Sequence, residues 1–438
     1  MRIIKKNNEI SGFLKKLWLR NAEDNYSVGH TVREILADVK DNGDRAVLKY
    51  TRKFDFGKAK KLRISDAEIS RFSDKTDPQV VKALEISSRR IRKFHERQIE
   101  RSWSFIERDA MLGQIIKPLR RIGVYVPGGK AAYPSTVLMN VIPAQVAGVK
   151  EIALCVPAPD GQLNPYVMAA IRMLDVREVY RIGGAQAVGA MAYGTESIRK
   201  VDKIVGPGNI FVATAKKMVF GLVDIDMIAG PSEILIIADD SANASFVTAD
   251  LLSQAEHDEL ASSILITNSR DLADRVSREL KIQLSNLKRK KIAEESINNY
   301  GAIIIARNIK DAVRFSNQIA PEHLEIMTEK PINVLPMIEN AGAIFLGPWT
   351  PESLGDYSAG PNHTLPTGGT ARFFSPLGVY DFSKRSSLLG FTKKGFEKIS
   401  KVVEKIADIE GLEAHGNTIR IRSSVRNKGK AKKLNIHN

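Results

Sequence analysis

Cysteine is almost missing from this chain. Cys155 is the only one in 438 residues, so no intrachain disulfide can form and a reducing compartment is expected. It lies inside the apolar run Ile152-Ala-Leu-Cys-Val-Pro157, a strand-core setting without the electropositive neighbours that make a thiolate reactive. A cysteine nucleophile is therefore not expected. Long apolar runs are missing too, since none reaches the roughly 18 residues that span a bilayer. The start of the chain, Met1-Arg-Ile-Ile-Lys-Lys, has basic residues with no continuous apolar segment behind them. No secretory leader is expected, and the location reads as cytoplasmic.

Acidic residues are in short supply. Against 66 Lys and Arg there are 50 Asp and Glu, a net charge of +16. Beyond Glu413 there is no acid at all, while Arg420, Arg422, Arg426, Lys428, Lys430, Lys432 and Lys433 follow. Yet the modules that read nucleic acid are absent: no aromatic RNP-like motif, no helix-turn-helix signature and no zinc-finger cysteine set. The charge favours anionic partners weakly, and no specific nucleic acid or membrane partner is expected. What remains, 43% hydrophobic and 26% charged, is the composition of a globular protein of about two to four domains.

Residues 1 to 22 read as a small polar, basic arm. Helical patterns cover 27–42, 44–54 and 65–99, and the text turns extended from 103 to 120. From Arg121 onward, strand and helix alternate. Strands are expected at 122–126, 151–156, 178–182, 202–205, 234–238, 263–267, 301–306, 323–327 and 343–346. Helices are expected at 137–147, 165–174, 186–193, 210–219, 243–255, 271–285, 309–318 and 331–340. That spacing is that of βαβ units, hence an α/β fold with two mainly parallel sheets of similar type, read as related halves. After Pro376 the alternation stops. A helix at 395–410 and a strand at 418–422 form a small C-terminal unit, and a basic tail, 426–438, reads as disordered.

Three strand-to-helix turns are rich in glycine: Val126-Pro-Gly128-Gly129, Ile182-Gly183-Gly184-Ala-Gln186 and Val205-Gly206-Pro-Gly208-Asn209. Each offers free amides and a helix N-terminus to a phosphate, though none is the full dinucleotide fingerprint, and each alone also reads as a plain βα turn. Three in one sheet point to a ligand crevice at the carboxyl ends of its strands. Ionisable residues gather in other segments. Gln254 and His257, three apart, project from one helix face, as two corners of a metal site or as a polar helix end. Glu322 and His323 are adjacent between a helix and a strand, a pair suited to proton transfer, or else part of a plain surface loop, the reading the segment alone favours. Asp356 and His363 lie in a glycine-punctuated loop, and Glu410 and His415 at the end of the last helix. Gln254, His257, Asp356 and His415 together give two nitrogens and two oxygens with no cysteine, the donor set of a catalytic rather than structural zinc.

These motifs, with Ala229-Gly-Pro-Ser-Glu233, Ala320-Pro-Glu-His-Leu-Glu325 and Leu412-Glu-Ala-His415, stand in an order that resembles the histidinol dehydrogenases, from about residue 25 to 425. The resemblance implies zinc-dependent, NAD-linked four-electron oxidation of L-histidinol to L-histidine through the aldehyde. It puts the zinc ligands on Gln254, His257, Asp356 and His415, and the acid/base pair on Glu322 and His323. It puts substrate contacts on Ser232, Gln254, His257, His323, Asp356, His363, Glu410 and His415, and NAD contacts on Tyr125, Gln186 and Asn209. It implies an intertwined homodimer of two Rossmann-like domains. Residues 23–124 with 233–376 would carry the zinc site, 125–232 would contact NAD, and 377–425 would complete the partner's site. Two alternatives stay open at this point: a relative oxidising another small alcohol, such as a sulfonated diol, and an inactive basic binding protein on the same fold.

Overall fold

A computed structural model describes residues 1–22, 26–128, 133–228 and 230–425. The tail expected to be disordered, 426–438, lies outside the described residues, as do Gly129 of the first glycine turn and Ala229 of the Ala229-Gly-Pro-Ser-Glu233 motif. The chain divides into two units: Met1–Ile99 with Pro118–Ser383, and Glu100–Lys117 with Lys384–Asn438.

The strands are β1 (Arg2–Ile4), β2 (Arg63–Ile64), β3 (Trp103–Glu107), β4 (Ala110–Pro118), β5 (Arg121–Tyr125), β6 (Glu151–Cys155), β7 (Glu178–Tyr180), β8 (Lys203–Val205), β9 (Asp224–Ile225), β10 (Glu233–Ala238), β11 (Ser262–Thr267), β12 (Ala302–Ile305), β13 (His323–Met327), β14 (Ala343–Leu346) and β15 (Ser383–Phe391). Among the described residues they form two six-stranded sheets and one three-stranded sheet. The first sheet runs β1-β12-β11-β10-β13-β14 and the second β2-β7-β6-β5-β8-β9. Within these two six-stranded sheets all neighbours are parallel except β2, which lies antiparallel on β7. Taking β5–β9 and β10–β14 as two sets of five, the order is the same in both. The first strand is central, the second and third go to one side, and the fourth and fifth to the other. That is Rossmann-like order, with a topological switch beside the first strand.

Parallel sheets covered on both faces need strands that are apolar on both faces. In β10, Ile234, Ile236 and Ala238 pack on one side, while Leu235 and Ile237 pack on the other, as period-two alternation requires. The helices that cover the sheets begin at side-chain caps. Asn209 accepts from the N–H groups of Phe211 and Val212, and Asn243 from that of Ser245, which satisfies donors the helix leaves open.

Three differences from the sequence reading matter for the site. The expected N-terminal arm is structured. β1 joins β12, and the helix Asn7–Ala22 buries Ile10, Phe13, Leu14 and Leu17 in the core of the first sheet. The helix Tyr26–Phe54 packs Val32, Ile35, Leu36, Val39 and Val47 with Tyr125, Ala153 and Cys155, and β2 joins β7. Residues 26–95 thus sit on the second sheet rather than with 233–376. Periodicity marks the apolar face of a helix but not the sheet that receives it. Lastly, 418–422 lies within the helix Glu413–Ser424, where Arg420 reaches back to Glu404 and Asp408 of the helix Lys393–Ile409. In the second unit that helix pair accompanies the sheet β15-β4-β3.

Candidate active site

The ionisable residues of the first unit converge at the amino ends of β10, β11 and β13. The helix Ile309–Ile319 ends at Ala320, whose φ of 53° is left-handed and costs a non-glycine residue about 1 kcal/mol. Pro321 follows, and Glu322 and His323 then enter β13 beside Ile234 of β10. Both are buried.

Glu322 Oε2 accepts from the backbone N–H of Glu233 at 2.9 Å. Nδ1 of His323 lies 3.0 Å from the backbone oxygen of Glu233. A carbonyl only accepts, so Nδ1 carries the proton and Nε2 presents a lone pair. Nε2 is buried without a hydrogen-bond partner among the described residues, 3.8 Å from Oδ1 of Asp356. Burial holds the imidazole below its usual pKa, against the pull of Asp356, so it is neutral and basic near pH 7. Burial pushes the Glu322 carboxyl well above the usual range, and the Glu233 N–H opposes only part of that.

Asp356 comes together with His257 and with Glu352, a residue the sequence reading missed. One ligand atom from each lies within 4.8 Å of the others. Glu352 and Asp356 are four apart in the short helix Glu352–Tyr357, the spacing that sets two carboxylates on one face, and that was the signal available. Gln254 is fully buried beside them. Its side-chain amide lies 3.1 Å from Nδ1 of His323 and 3.2 Å from both the Glu233 oxygen and Oε1 of Glu352. Behind Glu352 lies Glu325, whose Oε1 accepts from the Glu352 N–H at 2.9 Å. Burial, and then neighbouring carboxylates, hold Glu352 and Glu325 well above the usual carboxyl range, and burial raises Asp250 to about 6. So many acids packed together fit a cation, and an imidazole with carboxylate oxygens suits zinc or manganese.

His363 supports this group: its Nδ1 donates to the backbone oxygen of Asp356 at 3.0 Å. Ser232 is half-buried just before β10. Glu410 and His415 belong to the second unit, where both are exposed. Within the first unit the candidate metal set is therefore His257, Glu352 and Asp356, with Gln254 adjacent.

The three positions expected to contact a nucleotide lie at the carboxyl ends of the second sheet's strands. Tyr125 ends β5, and its hydroxyl accepts from the Gly184 N–H at 3.1 Å. Burial raises this phenol to about 12. Gln186 is buried in the first turn of the helix Gly184–Tyr193, and Asn209 caps the helix Ile210–Val219. Gly206, at φ 110°, passes so close to β5 that a Cβ there would lie 2.1 Å from the backbone oxygen of Tyr125. Cys155 is fully buried, and burial pushes its thiol up to about 12, which excludes it as a nucleophile at neutral pH.

Residues 19–423 match the family model described as histidinol dehydrogenase. A histidinol dehydrogenase of Geobacter metallireducens is 52% identical over 418 residues, covering 94% of this chain and 95% of that one. One of Aquifex aeolicus is 54% identical over 396 residues, covering 90% and 92%. The crystal structure of histidinol dehydrogenase from Elizabethkingia anophelis is 37% identical, covers 97% of this chain and 98% of its own, and superposes with a TM-score of 0.91.

Proposed function

The chain belongs to the histidinol dehydrogenase family, whose activity serves histidine biosynthesis, and on that premise we propose that a zinc ion and NAD work at the cluster of His257, Glu352, Asp356, Glu322 and His323. Bound zinc supplies a fixed positive charge and Lewis acidity without redox chemistry of its own, while NAD accepts hydride. Gln254, His257 and Asp356 would hold the metal, with Glu352 in support and His415 of a second copy as a further ligand. Tyr125, Gln186 and Asn209 would contact NAD, where the switch in strand order opens a crevice.

The observation that carries the reading is the bare, buried Nε2 of His323. It takes the proton from the histidinol hydroxyl as the carbinol carbon loses hydride, which leaves the aldehyde. The second oxidation needs an oxygen from water. With Cys155 inert, the aldehyde goes to its hydrate rather than to a thiohemiacetal. Glu322, a stronger base than a solvated carboxylate, takes a proton from the attacking water, while His323 returns the proton it holds to the aldehyde oxygen and is free to act as a base again. His323 then deprotonates the hydrate as the second hydride leaves, giving the carboxylate of histidine. Glu410, His363 and Ser232 suit a cationic amine and an imidazole.

A homodimer is part of the proposal. On the helix Lys393–Ile409 the residues Val402, Ile406 and Ile409 are 60%, 52% and 74% exposed. They lie at helical spacing on one face, and an apolar stripe of that kind marks an interaction surface. A second copy is the occupant that the family reading supplies, and Glu410 and His415 would then complete the partner's site. A cytoplasmic setting is part of the same reading; among the described residues no helix is long and apolar enough to cross a membrane. Activity with L-histidinol and NAD that a chelator removes and zinc restores is the expected result. Activity that survives exhaustive chelation would end the metal part of the reading.

A further inference from the structure

Two hydrogen bonds that set the catalytic groups meet on one residue, and a cation from the far N-terminus holds that residue's side chain. Glu233 opens β10. Its N–H grips Glu322 Oε2 at 2.9 Å, and its carbonyl takes the His323 Nδ1 proton at 3.0 Å. A residue whose main chain binds both a carboxylate and an imidazole sets the distance between them, so its own placement sets the geometry of proton transfer.

The Glu233 side chain is 6% exposed, and its Oε1 meets Nη2 of Arg20 at 2.5 Å. The Arg20 side chain is 1% exposed. Its Nη1 donates to the Leu260 oxygen at 2.7 Å, and its guanidinium lies 5.2 Å from the centre of the Tyr300 ring. Leu260 is in the turn between the helix that carries Gln254 and β11, so one planar guanidinium ties that turn to the start of β10. The helix bearing Arg20 is fixed in its turn by Phe13, Leu14 and Leu17 in the core of the first sheet.

We propose that Arg20 and Glu233 are a positioning pair: Arg20 anchors the Glu233 side chain so that the Glu233 main chain holds Glu322 and His323 in register for proton transfer. Both act through that main chain, not on the substrate. The inference rests on the reading of Glu322 and His323 as the acid/base pair.

The test uses the full-length, zinc-loaded enzyme with L-histidinol and NAD. Arg20→Met is expected to lower kcat about 10²-fold, the loss that a misplacement near 1 Å brings. KM for both substrates should change by less than about threefold, because the interaction serves the reacting geometry rather than uniform binding. Arg20→Lys keeps the charge without the planar fork and should restore part of the rate. A double variant, Arg20→Met with Glu233→Met, removes both buried charges and should regain the thermal stability lost in the single variant, while kcat stays low. It also carries the test if Arg20→Met alone does not fold. Recovery of kcat together with stability in the double variant would overturn the proposal, as would unchanged kcat in a folded Arg20→Met. Glu322→Gln, assayed in parallel, keeps the two ideas apart: full activity there removes the acid/base reading whatever the Arg20 variants do.

Discussion

Lys216 and Asp226 form a buried ion pair beneath the turn that begins at Gly206, with side chains 3% and 1% exposed. Lys216 Nζ also donates to the Gly206 oxygen at 3.0 Å, and Asp226 Oδ2 accepts from the Gly206 N–H at 2.7 Å. The pair thus clasps Gly206, the first residue of the Gly206-Pro207-Gly208-Asn209 turn, by both its N–H and its carbonyl. Lys216→Met leaves Asp226 buried without its cation, which costs about 3–5 kcal/mol. It also frees the turn that leads to Asn209. The expected outcome is a lower denaturation midpoint and an NAD affinity weakened by about tenfold, a loss of about 1.4 kcal/mol, read by titration of the folded variant. NAD affinity equal to wild type would show that the turn keeps its shape without the clasp.

Glu352→Gln tests the residue that entered the metal set from the structure alone. It keeps the size of the side chain and removes a charge next to Asp356 and His257. Whether Glu352 binds the ion or supports those that do, the expected loss of zinc affinity is about 10- to 100-fold, measured by competition with a chromogenic chelator. Helical content and the unfolding midpoint of the metal-free protein should hold or rise, since a buried carboxyl crowded by others is costly when ionised. Unaltered zinc affinity would remove Glu352 from the site.

The same crowding gives a pH dependence with a definite sign. Glu322, Glu325 and Glu352 all have folded-state values raised by burial. The stability they contribute in the metal-free protein is therefore fully present below the unfolded carboxyl value, and it is lost as pH rises through the raised ones. His323 and His363, lowered by burial, run the other way: their contribution is present above the ordinary histidine value and lost as pH falls through the depressed ones. Zinc binding takes deprotonated ligands, so it releases protons and relieves the carboxylate repulsion. The rise in melting temperature on adding zinc should thus be larger at pH 8 than at pH 6, with the metal-free protein as reference at each pH. An increment that shrinks with rising pH would mean the carboxylates are not part of the metal's environment.

Much of this was legible in the residues because it is local. The helix Ile210–Val219 and strand β13 fall where the alternation puts them, and Glu322 and His323 announce themselves as neighbours in a loop. The failures are of two physical kinds. Some are local conflicts that periodicity cannot settle. The helix expected at 331–340 stops after Val334 and continues as a tighter turn through Met337, because Pro336 removes a donor. At 418–422, alternating Ile and Arg mimic a strand, but ion pairs to the preceding helix decide for helix. The others are long-range. Arg20 meets Glu233 across 213 positions, and residues 26–95 choose the second sheet through contacts no window contains. Glu352 was missed because an acid beside a proline looks like a helix start until burial shows what surrounds it.

His415 supplies the sharpest test of assembly. It sits in the second unit, exposed, while Gln254, His257, Glu352 and Asp356 gather in the first unit. If a second copy brings His415 to complete that group, each active site takes His323 from one chain and His415 from the other. A His415→Ala homodimer and a His323→Ala homodimer would each have two damaged sites. In a mixed dimer both defects fall in one site and the other site is intact. Random exchange makes about half of all dimers mixed, each with one good site of two. Activity should therefore rise from near zero in either parent to about a quarter of wild type after subunit exchange. If each site were built from one chain, every site in the mixture would carry one defect, and mixing would recover nothing.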